Sequence, residues 1–210
     1  MPARTSSPAA AIPRSGGAAA FASAIARSPL TDVDGILCRA IAEQYLRGAA
    51  PQPLYFQGSA ERGGRYTPKG GPAGLYLADH PRTAFAEIRH LQFPPDLREP
   101  VTLVYVRVRV SALLDLRQPP IRRRLRVKRD DLTGDWADEQ VAYLAGGGAP
   151  MPLTQAIGAA THLARDIRGI LYPSARLRGA TCLVLFPDRL RRGDIVESHD
   201  STGRLRQRLP

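Results

Sequence analysis

Valine occupies every second position from 104 to 110, and this alternation restricts the fold more than any other feature. The valines are Val104, Val106, Val108 and Val110, with Tyr105, Arg107 and Arg109 between them. Successive side chains of a strand point to opposite faces, so the pattern predicts a strand over 101–110 with one buried face. Such a face has to be covered by other elements of the same domain.

The other apolar runs predict short strands together with two or three helices. Strands are predicted at 54–56, 74–78, 169–172 and 181–186. Helices are predicted from Asp32 or Asp34 to about residue 47, from Pro81 to about residue 91, and over 154–167. Acidic caps, a proline in the first turn and apolar residues at helical spacing carry these assignments. With an exposed helix or loop at 121–131, the mixture predicts a single α+β domain.

The two ends of the chain differ in composition from its middle. Residues 1–31 are rich in Ala, Ser, Pro and Gly, which predicts a disordered tail, with a targeting segment as the alternative. The globular domain is predicted over 32–192 and a basic tail over 193–210. A length of 210 residues suits one domain. No apolar run is long enough to cross a bilayer, so we expect a cytoplasmic protein without membrane contact.

Cys38 and Cys182 lie among apolar neighbours, far apart along the chain. Neither belongs to a C-x-x-C pair, so we expect two buried free thiols in a reducing compartment. One long-range disulfide is the alternative.

A formal net charge of +11 raises the question of nucleic-acid binding. Six of the eight residues at 122–129 are basic, but no aromatic residues lie among them to stack on bases. Abundant Arg, Ala, Gly and Pro is also the composition that a GC-rich genome produces. A solvated basic face is therefore the first interpretation, a docking surface for an acidic partner the second, and nucleic acid the third.

Several common catalytic motifs are absent. The chain has no P-loop, no G-x-S-x-G elbow, no H-E-x-x-H and no dinucleotide-binding G-x-G-x-x-G between a strand and a helix. The histidines show no metal-ligand spacing, so we expect no metal. Hydride transfer, metal-assisted hydrolysis and kinase chemistry are accordingly not expected.

Three sequence blocks stand out. They are RGGRYTPKGG at 62–71, GLYLA at 74–78 followed by AFAEI at 84–88, and GILYPSAR at 169–176. Taken singly, Arg65 is typical of a solvated turn, Glu87 of an exposed helix face, Tyr76 of a core and Ser174 of a cap. In this order, over about residues 35–190, the blocks resemble the RES family, which is named for its Arg, Glu and Ser.

The resemblance implies an ADP-ribosyltransferase-like fold, with short strands in a split sheet flanked by helices. It implies attack on NAD⁺ as a substrate, without a cofactor, by hydrolysis or by phosphorolysis with inorganic phosphate as co-substrate. The leading hypothesis is the toxin of a toxin–antitoxin system, neutralised by an Xre-like antitoxin protein. Two alternatives stay open, an ADP-ribosyltransferase that modifies a specific protein and a basic nucleic-acid-binding module.

The residues of the blocks fit roles in that chemistry. Arg65 can bind phosphate through its guanidinium fork, and Glu87 can stabilise an oxocarbenium-like cation or orient the nucleophile. Tyr76 can stack on nicotinamide or hydrogen-bond the ribose. Ser174 can hydrogen-bond the substrate, but its hydroxyl has no evident base partner, so a covalent role is not predicted. Further candidates for substrate contact are Tyr66, Arg62, Lys69 and Arg176, and on the first helix Arg39, Tyr45 or Arg47.

Overall fold

The structure is a computed structural model that describes residues 19–47, 50–91, 100–164, 166–200 and 203–209. Its strands are β1 (Leu30–Ala42), β2 (Leu75–Ala78), β3 (Val101–Asp115), β4 (Gly169–Pro173), β5 (Thr181–Leu185), β6 (Ile195–His199) and β7 (Gln207–Arg208). Its helices are α1 (Ala19–Ala26), α2 (Gly58–Arg62), α3 (Pro81–Leu91), α4 (Pro119–Leu125), α5 (Arg129–Thr133), α6 (Trp136–Leu144) and α7 (Leu153–Leu163). Short 3₁₀ turns lie at 43–46 and 187–189.

The strand pairings close on themselves. The order in the sheet is β1-β2-β5-β4-β3-β6-β7, and β1 also pairs with β3. The β1–β3 pairing is antiparallel and runs from Leu30↔Leu114 to Ala42↔Val101. Only β3 and β4 are parallel among the pairings described. The α+β class predicted from the sequence is confirmed.

Each face of the sheet has its own core. Val104, Val106, Val108 and Val110 are all buried on one face, as their alternation predicts. The opposite face packs against helices, whose buried side chains include Ile25 of α1, Leu125 of α4, Leu132 of α5 and Ile157 of α7. Tyr76 and Cys182 belong to this helix-covered face, and the candidate site forms there.

The helix predicted over 32–47 is wrong, because residues 30–42 form strand β1 and only residues 43–46 make a helical turn. Exposed and half-buried positions alternate along the first half of β1, while Cys38 and Ile41 are buried. The long strand β3 gives β1 backbone partners along its whole length apart from a register shift between Thr31 and Val33. This pairing outweighs the local helix signal of the acidic caps.

The predicted tails are also partly wrong. Residues 19–26 form helix α1, whose Phe21 and Ile25 are buried in the core, so the disorder predicted for 1–31 fails over 19–31. Residues 1–18 lie outside the described residues. At the other end β6 and β7 extend the sheet along β3, and Leu209 is buried, so 193–210 is not a detached basic tail. A few apolar side chains are enough to anchor each end.

Most other predicted elements are confirmed with small changes in their bounds. Strands β2, β4 and β5 and helices α3 and α7 lie where the apolar patterns place them. The strand predicted at 54–56 is wrong, because those residues form a turn in which Leu54 is buried. The basic stretch forms α4 and α5, with Ile121, Leu125 and Leu132 facing the core.

Two further predictions concern membrane contact and redox state. In the part of the chain that the structure describes, every helix is too short or too polar to cross a bilayer. Cys38 and Cys182 are buried free thiols, as predicted.

Candidate active site

A tight turn at residues 63–67 presents Arg65 and Tyr66 at its tip. Gly64 N donates to Thr67 O at 2.7 Å and Thr67 N donates back to Gly64 O at 3.2 Å. Gly63 has a φ of +90°, and a Cβ there would lie 1.9 Å from Gln140 Oε1. The turn therefore requires glycine at 63, both for its backbone angle and for space.

Side chains from three elements hold this turn in place. The Tyr76 hydroxyl of β2 accepts a hydrogen bond from Tyr66 N at 3.0 Å and lies 2.9 Å from Thr67 Oγ1. Gln140 of α6 donates to Arg62 O, and Gln155 of α7 donates to Gly64 O, each at 3.0 Å. The Tyr76 hydroxyl is thus engaged by the turn itself.

Arg65 is buried, with 5% of its surface exposed. Its Nη1 donates to Leu132 O at 3.0 Å and to Gly134 O at 2.8 Å, where α5 ends. Carbonyl groups at the end of a helix are left without partners in the helix and attract a cation. Arg65 therefore fastens α5 to the turn through Nη1.

Glu87 lies on α3 and points to the loop after β4. Its Oε1 accepts hydrogen bonds from Ser174 Oγ at 2.6 Å and from Ala175 N at 3.1 Å, and Cys182 Sγ lies 3.8 Å away. Oε2 has no hydrogen-bond partner among the described residues. Among the described contacts, only one of the two carboxylate oxygens is therefore fixed.

Ser174 does have a carboxylate partner, so the expectation that its hydroxyl lacks one is wrong. The two residues are 87 positions apart in sequence, which hides the pair from any local pattern. Ser174 Oγ also accepts hydrogen bonds from Arg176 N and Leu177 N, both at 3.1 Å. Because two N–H groups occupy the hydroxyl oxygen, its contacts fit a residue that orients Glu87.

Two tyrosines and a cysteine surround the carboxylate. The rings of Tyr66 and Tyr172 lie 4.6 Å apart at 54°, and the Tyr66 hydroxyl is buried without a partner among the described residues. Burial raises the pKa of Tyr66, Tyr172 and Cys182, and the nearby Glu87 raises each pKa further. These groups therefore stay protonated at neutral pH.

The residues predicted from the sequence blocks converge around Tyr66. Arg65 precedes it in the turn, and its ring lies 4.6 Å from that of Tyr172, two residues before the Ser174 that hydrogen-bonds Glu87. Burial raises the pKa of the adjoining Tyr76 to about 12, although its hydrogen bonds with Thr67 and Tyr66 lower it. The turn, Glu87 and Ser174 thus form one neighbourhood.

The second-rank candidates divide into two groups. Arg176 adjoins the site, because its N bonds Ser174 Oγ and its Nε is buried without a partner among the described residues. Lys69 and Arg62 are exposed, and Arg62 Nη2 donates to Tyr45 Oη at 3.3 Å.

The residues predicted on the first helix belong to a different set of contacts. Arg39 of β1 donates to Tyr55 O, and burial lowers its pKa to about 10. Tyr45 stacks on Tyr55 with ring centroids 4.4 Å apart, and Arg47 pairs with Glu43. In the contacts described, none of them reaches Glu87 or Ser174.

Sequence reasoning missed the residues that support the site. The sequence patterns predict Cys182 only as a buried thiol and give no site role to Gln140, Gln155 or Tyr172. They also miss Gly158, where a Cβ would lie 1.8 Å from Tyr66 O. A glutamine and a glycine on the buried side of α7 are the signals that could have found this packing. Over the described ranges, no three His, Cys, Asp or Glu side chains are grouped to bind a metal.

Two cavities adjoin the ends of β4 and β5. One, of about 170 Å³, is lined by Arg117, Arg122, Arg129, Pro173, Gly179, Ala180 and Thr181. The other, of about 330 Å³, is lined by Val33, Leu37, Asp79, Arg117, Leu171, Thr181, Cys182 and Leu183. They share Arg117 and Thr181 at the strand ends, and Cys182 of the second cavity contacts Glu87.

Comparison with known proteins shows the family and a similar fold. The family model of the RES domain matches residues 36–206. The solved structure of the M. tuberculosis MbcT-MbcA toxin–antitoxin complex contains a similar chain, with a TM-score of 0.65 and 23% identity over 86% of this chain and 90% of that one. No curated protein matches the sequence. Because the family model spans most of the sequence, this chain belongs to the RES domain family.

Proposed function

We propose that this protein is the toxin of a toxin–antitoxin pair and consumes NAD⁺ by cleaving the bond between nicotinamide and ribose. The observation that carries the proposal is the Glu87 carboxylate. Its Oε1 is held by Ser174 and Ala175, and its Oε2 is unpartnered among the described residues. Membership of the RES domain family and the similar fold of a toxin–antitoxin protein support the assignment.

The chemistry of NAD⁺ cleavage fits a fixed carboxylate. Nicotinamide leaves with the electron pair of the C–N bond, and positive charge develops on the ribose ring. A carboxylate beside that ring stabilises the charge, more strongly where water is excluded. Water or phosphate then attacks the ribose carbon, giving ADP-ribose or its 1″-phosphate.

The surrounding residues take supporting roles in this proposal. Ser174 holds Glu87 in one orientation through the 2.6 Å hydrogen bond. Tyr76, Gln140 and Gln155 fix the turn that carries Tyr66. Arg65, next to Tyr66, links α5 to the turn. A preorganised site of this kind needs little rearrangement as charge develops.

The decisive test is to incubate purified protein with NAD⁺, with and without inorganic phosphate, and to quantify nicotinamide and ADP-ribose products by chromatography. Glu87→Gln keeps the size of the side chain but removes its charge, so we expect turnover to fall by on the order of 10²-fold or more. Glu139→Gln, on the exposed face of α6, is the matched control and should keep wild-type turnover.

The products separate the remaining alternatives. Unchanged NAD⁺ with wild-type protein, or full activity in Glu87→Gln, would contradict the proposal. A phosphate-dependent product identifies phosphorolysis, and ADP-ribose formed without phosphate identifies hydrolysis. A labelled protein acceptor with little free ADP-ribose would instead identify ADP-ribosyl transfer.

An antitoxin partner follows from the same proposal. The similar solved structure is a toxin–antitoxin complex, and resemblance to the family implies an Xre-like antitoxin. Because NAD⁺ is a cytoplasmic substrate, expression of the toxin in cells should deplete NAD⁺ and arrest growth. Co-expression of the cognate antitoxin should restore both.

A further inference from the structure

An arginine-lined cavity lies at the edge of the sheet next to Ser174. Pro173, which immediately precedes Ser174, lines this cavity together with Thr181. Pro173 and Thr181 are paired across β4 and β5, and Cys182, the next residue, contacts Glu87. The cavity therefore lies at the same end of β4 and β5 as the carboxylate–serine pair, although the side chains of Pro173 and Thr181 alternate with those of Ser174 and Cys182.

Of its three arginines, Arg117 is already neutralised. Its Nε and Nη2 donate to the two carboxylate oxygens of Asp115 at 2.8 and 2.9 Å. Although burial raises the pKa of Asp115, these hydrogen bonds hold it below its ordinary value. Arg117 is therefore a fixed part of the wall.

Arg122 and Arg129 lack such compensation. Arg122 donates only to neutral carbonyls among the described residues, to Leu116 O at 2.9 Å and to Arg117 O at 2.5 Å. The side chain of Arg129, the first residue of α5, has no hydrogen bond or ion pair with a described residue. Asp131 of the same helix caps Lys128 N at 2.7 Å and does not line the cavity. Two guanidinium charges thus face the cavity without an acidic partner in its lining.

We propose that this cavity binds the diphosphate of the nucleotide substrate, through Arg122 and Arg129. The inference rests on the proposed function and assigns a subsite to it. Guanidinium groups bind phosphate oxygens through paired N–H donors, and two of them match the two charges of a diphosphate. Arg65 is a poorer candidate for this role, because its Nη1 is engaged by Leu132 O and Gly134 O.

The test measures binding rather than turnover. ADP-ribose and inorganic diphosphate are titrated by calorimetry into the Glu87→Gln protein, so that no substrate is consumed. Adding Arg122→Gln and Arg129→Gln should weaken ADP-ribose binding at least tenfold. The control pair, Arg123→Gln and Arg126→Gln, removes the same charge from exposed residues at α4 that do not line the cavity, and should change affinity less than twofold.

Since Arg122 also binds backbone carbonyls, Arg129→Gln alone is the second variant, and it should weaken binding at least threefold. An equal loss of ADP-ribose affinity in the cavity and control pairs, or unchanged binding in Arg129→Gln, would overturn the proposal.

The proposed function can fail separately. If wild-type protein leaves NAD⁺ intact but diphosphate binds through Arg122 and Arg129, the anion site stands without that activity. If NAD⁺ is consumed with unchanged KM in both cavity variants, the subsite is wrong and the activity stands.

Discussion

Ser174 and Glu87 show how much one hydrogen bond organises at the candidate site. A 2.6 Å separation between a hydroxyl and a carboxylate oxygen is in the range of a charge-assisted bond. The same hydroxyl accepts from two backbone N–H groups, so it links the loop after β4 to α3. The orientation of the carboxylate therefore depends on a residue that need not react.

This link predicts a measurable coupling between the two residues. We expect the destabilisation caused by Ser174→Ala and by Glu87→Ala to be non-additive, with a coupling energy of about 1–3 kcal/mol. Urea unfolding of wild-type, both single variants and the double variant gives this value. Ser59→Ala combined with Glu87→Ala is the control and should be additive. Additivity within about 0.5 kcal/mol for the Ser174 pair would mean that the bond contributes nothing to the fold.

At the scale of elements, the backbone of α7 packs directly against the turn that carries Arg65 and Tyr66. Gly158 lies where a Cβ would be 1.8 Å from Tyr66 O, and Gln155, one turn earlier, binds Gly64 O. A backbone carbonyl cannot move aside as a flexible side chain can. The position of the turn is thus set by how closely this helix approaches it.

Gly158→Ala should consequently destabilise the protein even though alanine favours helices. The clash should lower the free energy of unfolding by about 2 kcal/mol or more, outweighing about 1 kcal/mol of helix propensity. Gly147→Ala, where a Cβ would meet nothing within 4 Å, is the control and should be neutral within about 0.5 kcal/mol. Thermal and urea unfolding measure both changes, and a stable Gly158→Ala protein would show that α7 does not press on Tyr66.

At the scale of the whole molecule, the folded unit is larger than the segment that matches the family model. Helix α1 lies before residue 36, where that match begins, yet Phe21 and Ile25 are buried in the helix-covered core. Arg124 of α4 also donates to Arg27 O at 2.6 Å, just after α1 ends. The α1 segment thus completes the packing around α4 and α7.

Ile25→Ala tests whether α1 belongs to the core. Removing a side chain that is 1% exposed should lower the free energy of unfolding by about 2–4 kcal/mol. Ala26→Ser, on an exposed position of the same helix, should have almost no effect. Denaturant unfolding compares the two variants. A decrease in the free energy of unfolding below about 0.5 kcal/mol for Ile25→Ala would mean that α1 does not stabilise the core.

The amino-acid sequence by itself determined the α+β class, the valine strand, helix α3 and the order of the three blocks. These features depend on side-chain spacing within a few residues, which the periodicity of a strand or a helix makes visible. The blocks also predicted the family and pointed to Arg65, Tyr76, Glu87 and Ser174. That these residues act on NAD⁺ stays a prediction.

Only the tertiary structure decided which residues meet. Residues 30–42 are a strand because β3 offers them a partner edge. Glu87 meets Ser174 because α3 packs on β1 and β2 and brings its carboxylate to the loop after β4. Residues 19–26 and 207–209 join the fold because Phe21, Ile25 and Leu209 find buried positions. Such contacts join residues far apart in sequence, and their free energy outweighs local propensity once the core has formed.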